Sequence, residues 1–364
     1  MQLYGGKKDS TGLLEETLEA IAPPDEVAAA EAGRRLDSLT KPRGSLGYLE
    51  EIVRRYAAIR HDAGARMDDG ALCVFVADHG VAEEGVSAYP QAVTAEMLRN
   101  IAGGGAAVSV LARRFGYRLW IADVGVAVDT SAGRLPGVLY RRIGAGTRNL
   151  ARETAMSVAQ ARAAVEVGVE VAREAIGAGA TLLGIGEMGI ANSTSAAALL
   201  AAFTGLAPAR LAGRGTGIDD LGLERKVAVI ERALKLHRAA MQNPLAALAA
   251  LGGFEIAAMA GVCLGGAALK VPVVVDGFIA TAAAVAAERM NPGLFAHQFF
   301  GHHSIEGGHA LVLERLGVRP IVDLGMRLGE GTGAALAMSM IESALALFDE
   351  MATFESAGIS EKIE

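Results

Sequence analysis

An α/β fold on a parallel sheet is what this sequence predicts, and three features predict it. Short apolar runs recur along the chain, long alanine-rich helical patterns separate them, and most runs end in a glycine-rich or polar cluster. Strands that alternate with helices pair in parallel through right-handed crossovers, giving a Rossmann-like sheet flanked by helices. Open sheets of this kind hold ligands at the carboxyl ends of their strands. At 364 residues the chain exceeds the usual single-domain size, so one large domain and a smaller lobe are expected.

Taken in order, the first stretch reads as helical. Residues 26–39 keep an amphipathic period, Thr40-Lys-Pro-Arg-Gly44 interrupts it, and Ser45 opens another helix that runs to about Ile59. Apolar strands follow at 72–77, 118–124, 181–185, 271–276 and 319–323, with long helices at 157–176, 223–241 and 332–348. The expected division is an N-terminal helical segment (1–65), a Rossmann-like catalytic domain (66–335) and a C-terminal helix and tail (336–364). The two end segments are expected to form the smaller helical domain.

Apolar residues make up 52% of the chain and aromatics 5%, so the core is mostly Ala, Val, Leu and Ile, which suits close helix–sheet packing. A net charge of −7 with no basic face argues against a nucleic-acid partner. A small anion needs only local N–H groups and a cation or two. Cys73 and Cys263 lie inside apolar runs and read as core residues of a reducing compartment, not as a disulfide. The first ten residues contain no apolar signal core. The most membrane-like stretch, 245–268, carries Glu255 and several glycines and reads as buried soluble structure, not a span. A cytoplasmic enzyme fits this balance.

The most informative segment is Asp323-Leu-Gly-Met-Arg-Leu-Gly-Glu-Gly-Thr-Gly333, where a strand hands over to a helix. It sets Glu330 between two glycines, so a ligand can approach both backbone and carboxylate. In isolation a glycine turn with a capping acid explains it as well.

The loop after the first strand, from Asp78 to Gln91, offers the mixed polar and aromatic surface a flat heterocycle uses. After the strand at 181–185, Gly186-Glu-Met-Gly-Ile-Ala-Asn-Ser-Thr-Ser195 leads into a helix. Its small residues and hydroxyls suit an anion cradle, although Asn192 to Thr194 read equally as caps. This loop lacks the Gly-Lys-Ser/Thr of a Walker A motif. A second glycine loop, Gly213-Arg-Gly-Thr-Gly217, precedes Lys226, which reads most simply as an exposed helix lysine but would neutralise a phosphate placed nearby.

Asp276 ends its strand either as a helix cap or as a ribose hydroxyl acceptor. The histidine-rich segment 297–309 matches no zinc spacing, and within it Ser304 reads as a phosphate or sugar contact. Gly184-Ile-Gly-Glu-Met-Gly189 spells a dinucleotide fingerprint. It follows a middle strand, however, and puts Glu187 where a pyrophosphate would approach, which counts against a nicotinamide-dependent oxidoreductase.

With these segments in order, the chain resembles the nicotinate-nucleotide–dimethylbenzimidazole phosphoribosyltransferases nearly end to end. The segments Leu36 to Glu50, Ala77 to Gly80, Gln91 to Thr94, Ile143 to Asn149, Gly186 to Asn192, Gly213 to Gly217, Leu328 to Ala334 and Glu350 to Glu355 carry the resemblance. It implies a homodimer with a Rossmann-like large domain and a small domain built from both chain ends. The implied reaction moves phosphoribose from nicotinate mononucleotide to 5,6-dimethylbenzimidazole, with inversion to α-ribazole 5′-phosphate and no cofactor or metal.

Carried over by motif, Glu330 is the expected general base and Glu187 a second acid in the pocket. Gly189 and Lys226 are expected beside the phosphate, Asp276 and Ser304 on the nucleotide, and Ser87 and Gln91 on the benzimidazole side. Leu328, with Met326 and Met188, is expected to form apolar walls. The chain departs from the family at His303, where an arginine is expected, and at Gly307, where a proline is expected. Related readings are a transferase for another lower-ligand base, such as adenine, another benzimidazole or a phenolic, and a non-catalytic partner subunit.

Overall fold

The computed structural model describes residues 12–130 and 133–360; the first ten residues, read above for a signal core, lie outside them. Helices α1 (Leu13–Ala20), α2 (Glu26–Ser38) and α3 (Tyr48–Arg60) precede strand β1 (Gly70–Ala77). Next come α4 (Ala92–Ala102), α5 (Ala107–Phe115), β2 (Arg118–Gly125), β3 (Val138–Tyr140), α6 (Val158–Gly177) and β4 (Leu182–Met188). Five helices follow: α7 (Asn192–Thr204), α8 (Pro208–Leu211), α9 (Asp220–Leu236), α10 (Pro244–Leu251) and α11 (Phe254–Ala268). The chain closes with β5 (Val273–Val275), α12 (Phe278–Met290), β6 (Gln298–His302), α13 (His309–Leu316), β7 (Pro320–Val322), α14 (Thr332–Glu350) and α15 (Phe354–Ala357).

The seven strands form one sheet in the order β3-β2-β1-β4-β5-β6-β7, and every neighbouring pair is parallel. The order reverses between β1 and β4, which is where such sheets leave a crevice for ligands. Side-chain alternation along β1 divides the interior. Ala71, Cys73, Phe75 and Ala77 enter a core shared with α6, α7, α11 and α12. Leu72, Val74 and Val76 enter the opposite core, shared with α2, α3, α4 and α14. All eight β1 residues are buried, as expected of a strand covered on both faces.

Small residues let the helices come close. A Cβ on Gly168 would overlap the Ala258 carbonyl, and one on Gly261 would overlap that of Val165, so α6 and α11 cross with their backbones in contact. The apolar stretch 245–268 is broken at Gly252 and Gly253 into α10 and α11, and α11 is buried along nearly its whole length. Among the described residues, the one helix whose length and composition would suffice to cross a membrane is instead α14. Its Ala334, Ala337, Met338 and Ile341 are buried in the core beneath the sheet.

The two chain ends meet. Arg35 of α2 donates to the carbonyls of Phe348 (3.1 Å) and Asp349 (2.9 Å) at the end of α14. Leu39 and Thr353 form an antiparallel bridge. The interrupting loop between α2 and α3 is pinned by a buried ion pair, Lys41 Nζ to Glu50 Oε1 at 2.8 Å.

Several boundaries differ from the sequence reading. Strand β4 continues to Met188, so Gly186 and Glu187 belong to a strand and not to the loop after it. The strand at 271–276 contracts to Val273–Val275, and the helix at 223–241 runs instead from Asp220 to Leu236, capped by Asp219. Strands β3 and β6 were not foreseen. β6 reads Gln-Phe-Phe-Gly-His and lacks an uninterrupted apolar run, yet all five residues are buried, and Arg55 stacks over its Phe299 at 4.7 Å.

Candidate active site

At the carboxyl ends of β1 and β4, where the strand order reverses, lies a cavity of about 550 Å³. Four segments give most of its wall, and Ile279 of α12 and Glu306 complete it. The end of β4 and the start of α7 give Glu187, Met188, Gly189 and Asn192; the loop after β1 and α4 give Ser87, Tyr89, Val93 and Met97. The glycine loop gives Gly215 and Thr216, and the segment before α14 gives Arg327, Leu328 and Glu330. A smaller adjoining cavity of about 30 Å³ is lined by Asp276, Ser304, Glu306 and the start of α12, and it shares Glu187 and Leu328 with the larger one.

Glu330 is 5% exposed and has φ 63°, between Gly329 at 88° and Gly331 at 92°. Three consecutive left-handed residues make a tight hairpin of backbone, and the non-glycine member costs about 1–3 kcal/mol of local strain. The hairpin rests on Gly186, where a Cβ would overlap the Glu330 carbonyl and the Gly331 nitrogen. Both glycines of the apparent dinucleotide fingerprint inside β4 thus serve packing: the Cβ of Gly184 would meet Leu72 and Met338. Glu330 does not cap its own helix. Its Oε2 instead accepts from the Val108 amide at the start of α5, at 3.4 Å. Burial raises the proton affinity of Glu330 above that of an ordinary carboxylate, the Val108 amide opposes this, and the nearby Asp276 charge adds to it.

Glu187 faces the same space. Its Oε2 accepts from Asn192 Nδ2, which ties the end of β4 to the first turn of α7. Burial pushes its pKa up to about 8; the Asn192 bond opposes the rise, and the charges of Glu255, Asp276 and Glu330 reinforce it. Gly189 packs its Cα against the Ala77 carbonyl, where a side chain would collide.

Lys226 is not an exposed helix lysine. It is 0% exposed, and its Nζ donates to Ser193 Oγ and to the Gly213 carbonyl, both at 2.9 Å, with Glu306 Oε1 at 4.0 Å. Ser193 and Glu306 line the cavity while Lys226 itself does not, so Lys226 joins the start of α7 to the glycine loop from beneath that wall. Burial lowers its pKa to about 8, and Glu306 counteracts that. Glu306 also accepts the Gly215 amide at 2.8 Å.

Ser87 reaches the wall and meets Thr216 Oγ1 at 3.1 Å. Gln91 does not line the cavity; its amide nitrogen donates to the His79 carbonyl at 3.4 Å. Leu328 stands at the mouth, 58% exposed, and Met188 lines the interior. Met326 is absent from the lining, and its carbonyl accepts the Ile305 amide at 3.1 Å. Ser304 Oγ accepts the Glu306 amide at 3.2 Å. Asp276 caps a helix, but not the one that follows it: its oxygens accept from Gly331 (3.2 Å) and Ala334 (2.8 Å) of α14.

The two departures from the expected motif are local. His303 pairs with Asp323 through Nδ1 at 3.1 Å. Gly307 has φ 52°, which proline cannot adopt. Among the described residues no group of three or more His, Cys, Asp or Glu is arranged to hold a metal. Arg327, Thr216, Glu306 and Asn192 were not singled out as site residues from the sequence. Arg327 lies within the Glu330 segment and, among the described residues, is the arginine that lines both cavities.

A phosphoribosyltransferase family model matches residues 21–359. A nicotinate-nucleotide–dimethylbenzimidazole phosphoribosyltransferase from Chloroflexus aggregans is 51% identical over 352 residues, covering 97% of this chain and 99% of that protein. A protein of the same name from Geobacter sp. strain M21 is 48% identical, covering 96% of this chain and 99% of its own. Among solved structures, CobT from Thermus thermophilus matches with a TM-score of 0.88 and 46% identity, covering 92% of this chain and 100% of that one.

Proposed function

The chain belongs to the nicotinate-nucleotide–dimethylbenzimidazole phosphoribosyltransferase family, and from that premise we propose that it converts nicotinate mononucleotide and 5,6-dimethylbenzimidazole to α-ribazole 5′-phosphate and nicotinate. The pyridinium of the mononucleotide leaves as a neutral ring, so no proton donor is needed at the leaving group. The demand on the protein is positional: an aromatic nitrogen must be held in line behind the anomeric carbon. Attack from that side inverts β to α. As one benzimidazole nitrogen forms the new bond, the N–H of the other becomes acidic and one carboxylate suffices to accept it, a form of help worth about 10²–10⁴-fold.

Glu330 is our candidate for that carboxylate. The observation that carries the reading is its buried, left-handed seat in a cavity wall with Met97 and Met188. A raised proton affinity suits a general base, because the carboxylate then competes better for the departing proton. Glu187, next to it, is proposed as a second acid that meets the ribose side. Gly189, Ser304 and the Lys226-braced loop are proposed at the nucleotide phosphate, with Ser87 and Leu328 beside the base. Gln91 acts on the benzimidazole side through the His79 carbonyl it holds.

We further propose that residues 1–65 and part of 336–364 act as one small domain, of which 1–11 and 361–364 lie outside the described residues; the Arg35 contacts to the end of α14 and the Leu39–Thr353 bridge support it. A cytoplasmic homodimer completes the proposal. Two free, buried cysteines fit a reducing compartment.

The test is direct. The purified chain is incubated with nicotinate mononucleotide and equal amounts of dimethylbenzimidazole, adenine and a phenol, and products are identified by mass and by the anomeric proton coupling. The α-configured dimethylbenzimidazole nucleotide should dominate. A β product, a dominant product from another base, or no product from the chain alone would each overturn part of the reading.

A further inference from the structure

Asp276 sits on the turn that ends β5, yet the amides it accepts belong to Gly331 and Ala334, more than fifty residues later in the chain. Both of its oxygens accept amides. Burial raises its proton affinity, while His302 and those amides oppose the rise and favour the carboxylate anion. The residue is 3% exposed. Among the described residues no other side chain caps α14: its N-cap is Gly331, which has none. The carboxylate therefore satisfies the orphan donors of that helix start and fixes where Gly331 lies. Gly331 is the residue immediately after Glu330, and with Gly329 it sets the left-handed hairpin that aims Glu330 into the cavity.

We infer that Asp276 is a positioning residue for the transfer reaction: it fixes the Glu330 hairpin from a neighbouring strand and does not bind the nucleotide. This inference rests on the reading of Glu330 as the base. Asp276 acts in two ways. Its hydrogen bonds hold the hairpin against the strain of a left-handed glutamate, and its negative charge makes a proton on Glu330 more favourable. The other groups facing this pair are His302 of β6, whose Nε2 is 3.9 Å from Asp276, Glu187 of β4, and the Val108 amide of α5, which approaches Glu330. Arg327 lines the same cavity as Glu330. None of them reaches the Gly331 or Ala334 amide, so removing Asp276 leaves those donors without a partner.

The test is a cycle of Asp276→Asn, Glu330→Gln and the double variant, each assayed for kcat, both KM values and the pH dependence of kcat. Asp276→Asn should lose about tenfold or more in kcat, the scale expected when a reacting group is displaced by a fraction of an ångström. Both KM values should stay within about twofold, and the acidic limb of its pH profile should move to lower pH because the neighbouring charge is gone. The double variant should be no slower than Glu330→Gln alone, as for residues that act as a unit.

A rise in the nucleotide KM with kcat unchanged would make Asp276 a substrate ligand and overturn the inference. So would an unmoved pH profile, or losses that add in the double variant while Glu330→Gln alone collapses turnover. If Glu330→Gln itself turns over normally, the base reading has failed, a separate outcome. Should Asp276→Asn not fold, hydrogen exchange of the wild-type enzyme carries the test: the Gly331 and Ala334 amides must be protected as strongly as the β4 core, and fast exchange at both would overturn the inference.

Discussion

Replacing Gly186 by alanine perturbs one contact and leaves every proposed catalytic group in the chain. The new Cβ would lie 2.4 Å from the Glu330 carbonyl oxygen and 2.4 Å from the Gly331 nitrogen. β4 is bonded on both sides, to β1 and to β5, so the strand cannot yield and the hairpin must. Restoring an ordinary van der Waals separation requires a shift of about 1 Å. A displacement of that size at a reacting group costs about 10²-fold in rate, or roughly 2.7 kcal/mol. Overpacking adds about 1–3 kcal/mol of destabilisation.

The assay is kcat with thermal unfolding recorded alongside. Gly184→Ala on the same strand serves as the control. Its Cβ would press on side-chain ends of Leu72 and Met338, each at 2.7 Å, so it should lower stability without a comparable loss of kcat. If Gly186→Ala turned over within about twofold of wild type with an unchanged melting temperature, the hairpin would not be held by that strand and the geometric argument would be wrong.

Lys226→Met keeps the buried stem and removes the ammonium that joins Ser193 to the Gly213 carbonyl. The nucleotide KM should rise while kcat changes less, with about 1–3 kcal/mol lost in unfolding free energy for the stranded carbonyl; an unaltered KM would remove the lysine from the phosphate loop. Glu187 makes a pH prediction. Its folded pKa, about 8, exceeds the ordinary value of 4.5, so between those values the folded state holds more protons than the unfolded one. Stability then falls as pH rises through that window, by an amount on the order of a few kcal/mol. Glu187→Gln should show a flatter pH dependence of unfolding than wild type and be the more stable of the two at about pH 8.5, above the window in which the carboxyl stays protonated. Parallel curves for the two proteins would show that Glu187 ionises at its ordinary pH.

Much of this was readable beforehand because the chemistry is compressed into short segments. Glu330 stood out as a lone acid among glycines, and five of the seven strands announced themselves as apolar runs before polar clusters. What was hidden depended on partners far away in the chain. Gly184 and Gly186 looked like the start of a phosphate loop, since sequence cannot show that Met338 and the Glu330 backbone press on that strand. Lys226 sits on the buried face of α9 with Val229, Ile230 and Ala233, where α7 and the glycine loop supply partners that no local spacing reveals. The sequence offers Asp276 as a cap or a ribose acceptor; the helix it caps begins far along the chain, so no local spacing names it. β6 escaped notice because Gln298, Gly301 and His302 interrupt its apolar pair, and its burial comes from the cores on both faces, with α14 packed on the Phe299 side.

The most direct measurement is the turnover of Glu330→Gln with nicotinate mononucleotide and dimethylbenzimidazole, together with the dissociation constant for the base. Glutamine has the same shape and can still accept the Val108 amide, so the hairpin and the bound base should persist. Turnover should fall by about 10²–10⁴-fold while the dissociation constant stays within about twofold. Wild-type turnover in that variant, with the base still bound, would contradict the assignment of Glu330 as the group that takes the proton.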